Sequence, residues 1–141
     1  MSGGIAKLAS VLQFGYSAML VAVGAAGILT ARWELATVFG IDPSAWSADI
    51  QATMLNQYRF LKSLELGAGI FCFAYRPAIM AGGRAVAVFL AIVGLGVCAR
   101  TIAWIVDGRP APLFVIFLLL EACVFIAVAL HLRMSDGSQR S

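Results

Sequence analysis

Four long apolar segments constrain the fold of this chain more than any other feature. An α-helix rises 1.5 Å per residue, so about 20 apolar residues cross the roughly 30 Å of hydrocarbon in a bilayer. Of the 141 residues, 62% are hydrophobic and 12% are charged, against about 45–50% and about 25% in soluble domains. The predicted spans cover residues 8–30, 57–75, 85–106 and 112–132. The sequence therefore predicts an all-α membrane protein with one domain of four transmembrane helices.

The first segment could also be a cleaved signal peptide. Residues 8–30 contain no charged side chain, and only Lys7 precedes them among the basic residues. Signal peptides have an apolar core of about 7–15 residues, which is shorter than this segment. We therefore expect it to be a retained membrane span.

The connections between the segments predict how the helices are arranged. Residues 76–84 ("RPAIMAGGR") and 107–111 ("DGRPA") are short and contain Pro and Gly, which end helices and leave neighbouring helices antiparallel. The first connection, residues 31–56, is much longer. Within it, Ser47 and Asp49 fit the start of a helix that continues into the second span. The expected fold is an up-down-up-down bundle with a long first outer loop.

Positively charged residues predict the orientation of this bundle, because Lys and Arg concentrate in short cytoplasmic loops. The opposite side has only Arg32 and Arg109, with Arg59 near its boundary. The residues assigned to the cytoplasmic side are Lys7, Arg76, Arg84, Arg133 and Arg140. Both termini are therefore expected to be cytoplasmic. The same bias accounts for the net charge of +3 without a nucleic-acid partner.

Ionisable side chains occur inside the predicted spans, where each one costs about 2.5–3.5 kcal/mol at the bilayer centre. The helical rise places Glu65 and Arg100 roughly 10 Å below the outer face, and Glu121 roughly 14 Å below it. Lys62 lies one turn above Glu65. Two cationic and two acidic side chains can neutralise one another if they face the bundle interior, and the guanidinium of Arg100 can bridge two carboxylates. The sequence predicts one polar cluster of these four residues in the outer half of the bilayer.

Such a cluster is either a structural clasp between helices or a binding site. Each hydrogen bond between membrane helices contributes only about 0.6–2 kcal/mol, whereas intramembrane ionisable residues often mark functional sites. Arg59 at the mouth of the cluster favours an anionic group, such as a lipid phosphate or a carboxylate, and Asn56 shares its helix face. The predicted binding residues are Asn56, Arg59, Lys62, Glu65, Arg100 and Glu121. The expected partners are the lipid bilayer, an anionic lipid, another membrane protein or a second copy of the chain.

Enzymatic and transport functions are the alternatives. Two carboxylates beside an arginine can act as general acid and base when their pKa values differ. Glu65 and Glu121 are thus candidate proton-transfer groups of a membrane enzyme or redox accessory subunit that acts on a lipid-soluble substrate. Ser63 and Thr101 have no histidine nearby in the sequence, so no nucleophile is assigned. Transport by four spans would need an oligomer. A non-enzymatic binding or accessory protein is the preferred interpretation.

Metal and cofactor sites have no support in the sequence. Cys72, Cys98 and Cys123 occur singly in apolar segments without CxxC spacing, which is typical of small buried residues. His131 is the single histidine, which excludes a haem held by two histidines of one chain. We assign no metal ligand, cofactor or catalytic residue.

Two stretches carry a recognisable pattern, "NQYRFLKSLELGAGIFCF" and "ARTIAWIVDGRPAPLFVIFLLLEA". The residues that fit the pattern are Asn56, Arg59, Phe60, Arg100, Gly108, Pro110 and Glu121. The chain thereby resembles a family of small four-span bacterial membrane proteins known as a domain of unknown function, and "ATVFGIDPSA" resembles the first loop of that family. More distantly, "LELGAG" is similar to the second span of the DoxX group of four-helix membrane proteins. The resemblance implies a four-helix fold in a bacterial inner membrane and no established activity.

Overall fold

The structure is a computed structural model that describes residues 2–139, with side chains for residues 4–135. The described residues form five α-helices and one 3-10 turn and include no strand. The elements are α1 (Ser2–Val38), the 3-10 turn (Pro43–Ala45), α2 (Ala48–Ala74), α3 (Arg76–Ala81), α4 (Arg84–Asp107) and α5 (Pro112–Gln139). The prediction of an all-α protein is confirmed. Arg140, which the sequence assigns to the cytoplasmic side, lies outside the described residues.

Three helices of the described chain are long and apolar enough to cross a membrane. They are Gly4–Val38, Arg84–Asp107 and Pro112–Ser135. Helices of this length and composition are those of an integral membrane protein. Helix α2 is not among them, because its first half is polar and includes Arg59 and Lys62.

Helix α1 extends beyond the predicted first span, which makes the predicted long outer loop much shorter. Residues 31–38 are helical, so that residues 39–47 alone connect α1 to α2. The helix continues because Ala31 and Leu35, one turn apart, are buried in a cluster with Leu55 of α2. Apolar residues at this spacing fall on one face of a helix. The loop prediction is therefore wrong for the first part of this connection.

The other boundaries agree more closely with the sequence. Helix α2 begins at Ala48 with Asp49 in its first turn, as predicted for a helix that continues into the second segment. The connection after α2 contains the six-residue α3, which has Pro77 in its first turn. Helix α4 ends at Asp107, and Gly108 follows with a φ of 94°, a backbone conformation that favours glycine.

The chain divides into two compact units. Unit 1 comprises residues 1–16 and 72–141, and unit 2 comprises residues 17–71. Unit 1 thus contains the first part of α1 with α3, α4 and α5. Unit 2 contains the rest of α1, the connection to α2 and nearly all of α2.

In unit 1, α4 and α5 pack against each other. Their buried apolar residues are Val86, Phe89, Val93, Val124, Ala127 and Val128. At the start of α3, Arg76 donates from Nε to Gln13 Oε1 at 3.2 Å and from Nη2 to Ser10 Oγ at 2.7 Å. Gln13 in turn donates from Nε2 to the Cys72 carbonyl oxygen at 3.0 Å. Arg76, expected from the sequence only as a loop charge, therefore links α3 to the first part of α1.

In unit 2, glycines allow the backbones of α1 and α2 to approach closely. A Cβ atom on Gly24 would lie 2.5 Å from the backbone nitrogen of Leu66. A Cβ atom on Gly69 would lie 2.8 Å from the backbone nitrogen of Val21. Real Cβ atoms do not reach such distances, so no side chain fits at either position without a shift of the backbone. Small residues at helix contacts are typical of membrane proteins.

Candidate functional site

Lys62 of α2 lies buried between two carboxylates in unit 2. Its Nζ atom is 3.1 Å from Glu65 Oε2 on the same helix and 3.4 Å from Glu34 Oε1 on α1. The ammonium group also lies 5.3 Å from the ring centroid of Tyr58. Only 4% of the Lys62 surface is exposed. We call Glu34, Lys62 and Glu65 the Lys62 cluster; it contains one cation and two carboxylates and so carries one surplus negative charge.

The Lys62 cluster fits between the helices because residue 27 is glycine. A Cβ atom on Gly27 would lie 2.5 Å from Lys62 Cδ and 2.8 Å from Glu34 Oε2. The space that a side chain would take is therefore occupied by the methylene stem of Lys62 and by the carboxylate. Long basic side chains commonly pack such stems against apolar surface while the charged end reaches polar partners.

One side of the Lys62 cluster has unused hydrogen-bonding capacity. The atoms Glu34 Oε2 and Tyr58 Oη are buried, and neither makes a hydrogen bond of good geometry with a described residue. The Tyr58 hydroxyl nevertheless interacts with the Glu34 carboxylate. The cluster is thus less well satisfied on the α1 side than at the Lys62–Glu65 contact.

Sequence reasoning missed Glu34. The hydropathy of the chain falls after residue 30, which placed Glu34 in a loop, whereas the helix continues to Val38. A signal was present, because Glu34 lies seven residues after Gly27, two helical turns further along the same face. The four-residue spacing of Ala31 and Leu35 also indicated a continuing helix.

In unit 1, Arg100 of α4 forms a two-point ion pair with Glu121 of α5. Arg100 Nε lies 3.0 Å from Glu121 Oε2, and Nη2 lies 3.3 Å from Oε1. The guanidinium is 5.7 Å from the ring centroids of both Phe114 and Phe117. Glu121 is buried, while 28% of the Arg100 side chain is exposed. A Cβ atom on Gly96 would lie 3.3 Å from Glu121 Oε2, so glycine also makes room here.

The predicted contact between Arg100 and Glu121 is present, and so is a contact between Lys62 and Glu65. The first belongs to unit 1 and the second to unit 2. The prediction that all four side chains form one cluster, with Arg100 bridging both carboxylates, stays a prediction.

Arg59 and Asn56 line an open groove on unit 2 together with Arg32 of α1. We call it the arginine groove; its volume is about 530 Å³ and its lining residues are Arg32, Ala52, Leu55, Asn56, Arg59 and Phe60. Two guanidinium groups thus come from two helices, and no acidic side chain is among these six described residues. The sequence predicted Asn56 and Arg59 as binding residues but assigned Arg32 only to the outer loop.

Hydrogen bonds position both arginines of the groove. Arg59 donates from Nε to the Ile28 carbonyl oxygen at 3.1 Å. Arg32 donates from Nη2 to Gln51 Oε1 at 3.0 Å, and Gln51 donates from Nε2 to the Pro43 carbonyl oxygen at 2.7 Å. A guanidinium has five N–H donors. Each arginine therefore keeps several donors for a ligand.

A kink in α1 lies next to the carbonyl that Arg59 contacts. Thr30 has φ −107° and ψ 21°, which is outside the helical range, and its hydroxyl donates to the Ala26 carbonyl oxygen at 2.8 Å. Such back-bonding by threonine bends helices. The Ile28 carbonyl lies within this distorted turn, and Arg59 supplies it with a donor.

The three cysteines differ in their exposure. Cys72 is buried, as predicted, but Cys98 and Cys123 are exposed. The prediction is wrong for these two because the outward faces of α4 and α5 are themselves apolar, so an apolar sequence context does not indicate burial. Within the described residues no group of three His, Cys, Asp or Glu side chains has the arrangement of a metal site.

Apolar helices of spanning length, with ion pairs among their side chains, define an integral membrane protein. The family described as "Domain of unknown function (DUF4345)" matches residues 7–132 of this chain. The match covers most of the chain, which therefore belongs to this family, as the sequence resemblance predicted. No curated protein and no solved structure matched the chain. The more distant similarity to the DoxX group stays a prediction.

Proposed function

We propose that this chain is a four-span protein of the bacterial inner membrane that binds an anionic group at the arginine groove. The ligand is a lipid phosphate or the carboxylate of a partner protein. In this proposal α2 is the additional span, both termini are cytoplasmic, and residues 39–47 lie on the outer side. The protein acts by binding and not by catalysis.

The ion pairs of Lys62 support α2 as a membrane span. Lys62, the most buried of its ionisable residues, is paired with Glu34 and Glu65. Paired side chains within a helix contact avoid most of the cost of exposing charge to lipid. The close backbone approach at Gly24 and Gly69 is of the kind that joins neighbouring membrane helices.

The observation that carries the binding proposal is a groove lined by two arginines from two helices, with no acidic residue among the six described residues that line it. Guanidinium presents a planar fork of donors that fits the oxygens of phosphate and carboxylate. Each basic residue near an anionic membrane surface contributes about 1 kcal/mol. Arg32 lies six residues before the end of α1, and Arg59 lies eleven residues after the start of α2; the proposal assigns the groove between them to the level of lipid headgroups.

The remaining predicted binding residues have a structural role in this proposal. Lys62, Glu65, Arg100 and Glu121 are all held in ion pairs. A general acid or base must be within reach of the proton that it transfers, whereas the carboxylate of Glu65 is engaged by Lys62 and that of Glu121 by Arg100. This favours the binding function over the enzymatic alternative with Glu65 and Glu121 as proton-transfer groups.

The binding proposal is tested with the double substitution Arg32→Gln and Arg59→Gln in the purified full-length protein. Retention of anionic phospholipid in nanodiscs, measured by native mass spectrometry, is expected to fall about 25-fold if each arginine contributes about 1 kcal/mol. The matched control is Arg84→Gln with Arg109→Gln, which removes the same charge from exposed positions outside the groove. An equal loss in both double variants would show that lipid retention depends on the overall charge of the protein and not on the groove, which would contradict the proposal.

The topology is tested with Ala45→Cys and Ala81→Cys in a chain whose three native cysteines are replaced by alanine. Both positions are exposed, one before α2 and one after it. If α2 crosses the membrane, a membrane-impermeant maleimide added to intact cells labels the first cysteine and not the second. Equal labelling before cell lysis would show that α2 does not cross.

A further inference from the structure

A second groove adjoins the arginine groove along α2. Its volume is about 330 Å³, and it is lined by Ala52, Thr53, Asn56 and Gln57. Ala52 and Asn56 line both grooves, so a ligand anchored at the arginines can extend into the second one. We call this second cavity the amide groove.

The amide groove is polar but uncharged. Asn56 and Gln57 each supply an amide with two N–H donors and an accepting oxygen. The Thr53 hydroxyl donates to the Asp49 carbonyl oxygen at 2.8 Å, which leaves its own oxygen as an acceptor. Such a set of donors and acceptors suits hydroxyl groups, which both donate and accept. It offers no counter-charge for an ammonium or a carboxylate.

An apolar strip starts at the arginine groove on the same helix. Phe60 lines that groove and is 58% exposed, and Leu64, one turn further along α2, is 54% exposed. Gly67 follows three residues later, and no described atom lies within 4 Å of the place its Cβ would take. These positions share one face of α2. A ligand with an acyl chain can thus place its anionic group at the arginines and its chain along this strip.

We propose that the ligand of the arginine groove is an anionic phospholipid with an uncharged polyhydroxyl headgroup, of the phosphatidylglycerol class. This inference rests on the proposed function and specifies its ligand. The phosphodiester binds Arg32 and Arg59, the headgroup hydroxyls bind Asn56 and Gln57, and an acyl chain follows Phe60. Phosphatidylethanolamine is disfavoured, because its ammonium would lie near two guanidinium groups.

The experiment compares three lipids on the full-length protein in phosphatidylcholine nanodiscs. Phosphatidylglycerol, phosphatidylmethanol and phosphatidylethanolamine are each added as a minor component, and retained lipid is measured by native mass spectrometry. Phosphatidylmethanol carries the same single negative charge as phosphatidylglycerol but has no headgroup hydroxyl, so phosphatidylglycerol is expected to bind about fivefold more tightly, the effect of one or two additional hydrogen bonds. Phosphatidylethanolamine is expected to bind more weakly than both. This comparison uses the wild-type chain and does not depend on any variant folding.

The headgroup contacts are tested by Thr53→Ala with Gln57→Ala, because both residues line only the amide groove. The expected result is a loss of the fivefold preference with unchanged binding of phosphatidylmethanol. Thr101→Ala is the matched control, since its hydroxyl also donates to a backbone carbonyl one turn back, that of Val97 at 2.8 Å. A melting curve by circular dichroism checks that each variant is folded.

The outcomes separate this inference from the proposed function. If phosphatidylglycerol and phosphatidylmethanol bind equally and both need Arg32 and Arg59, the headgroup assignment is overturned while the proposed function stands. If neither lipid responds to the loss of these arginines, both fail. If inorganic phosphate or glycerophosphoglycerol displaces the lipid at comparable concentration, the ligand is a soluble phosphate compound and the lipid assignment is overturned.

Discussion

The two units of this protein bury ionic groups in different ways. In unit 1, Arg100 and Glu121 form a one-to-one pair with two contacts between the same side chains. In unit 2, Lys62 is shared by two carboxylates, and Glu34 keeps one buried oxygen without a hydrogen bond of good geometry. The first arrangement is electrically balanced, whereas the second has more negative than positive charge.

Hydrogen-bond geometry and charge balance are therefore separate conditions for holding ionised side chains between apolar helices. The guanidinium fork of Arg100 contacts both oxygens of one carboxylate and lies within cation–π distance of two aromatic rings. The ammonium of Lys62 is a compact charge that contacts one oxygen of each neighbour. The Lys62 cluster therefore depends on a single cation, and the Arg100–Glu121 pair does not leave surplus charge.

The largest expected effect is that of removing the shared cation. Lys62→Met keeps most of the apolar stem of the side chain but leaves the half-buried Glu34 and Glu65 without a counter-ion. Breaking a buried ion pair from one side costs about 3–5 kcal/mol, so the free energy of unfolding should fall by this amount. Unfolding in mixed micelles with increasing SDS measures it, and Lys7→Met at an exposed position is the control. Equal stability of the two variants would contradict the buried cluster.

The next prediction compares one acidic residue from each unit, Glu121 of unit 1 and Glu34 of unit 2. Glu121→Gln leaves Arg100 unpaired and removes hydrogen bonds to a charged group, which should cost about 1.5–3 kcal/mol. Glu34→Gln should cost less than about 1 kcal/mol, because the Lys62–Glu65 contact remains and the surplus negative charge disappears. The same SDS titration compares both variants. A larger loss for Glu34→Gln than for Glu121→Gln would reverse the proposed difference between the units.

A glycine series extends from a moderate loss of stability to none. Gly27→Ala forces a methyl group against Lys62 and Glu34 and should cost about 1–3 kcal/mol, as overpacking does. Gly96→Ala meets Glu121 at 3.3 Å and should cost less. Gly67→Ala has open space and should be neutral or stabilising by up to about 1 kcal/mol. A uniform response across the three variants would show that backbone flexibility, and not space beside the ions, sets the effect.

The sequence predicts those features that depend on local hydropathy and turn residues. The apolar runs indicate α1, α4 and α5, and Gly108 marks the end of α4. The contact between Arg100 and Glu121 was predictable because a short connection places α4 beside α5 and helical rise gives the depth of each residue.

Features that depend on contacts between residues far apart in the chain leave little trace in the local sequence pattern. Glu34 lies beyond the apolar run, and its helix persists through burial of Ala31 and Leu35 against α2. Arg76 bonds Ser10 and Gln13, 66 and 63 residues away in the chain, and no local pattern indicates this. Arg32 joins Arg59 in one groove only because α1 continues past Thr30.

The fit of Lys62 against Gly27 has an evolutionary consequence. Side chains at positions 27 and 62 would compete for the same volume, so a larger residue at position 27 requires a smaller one at position 62. Within the family, we expect alanine or serine at position 27 chiefly where position 62 carries a short side chain, and glycine where it carries lysine. The two positions should therefore covary.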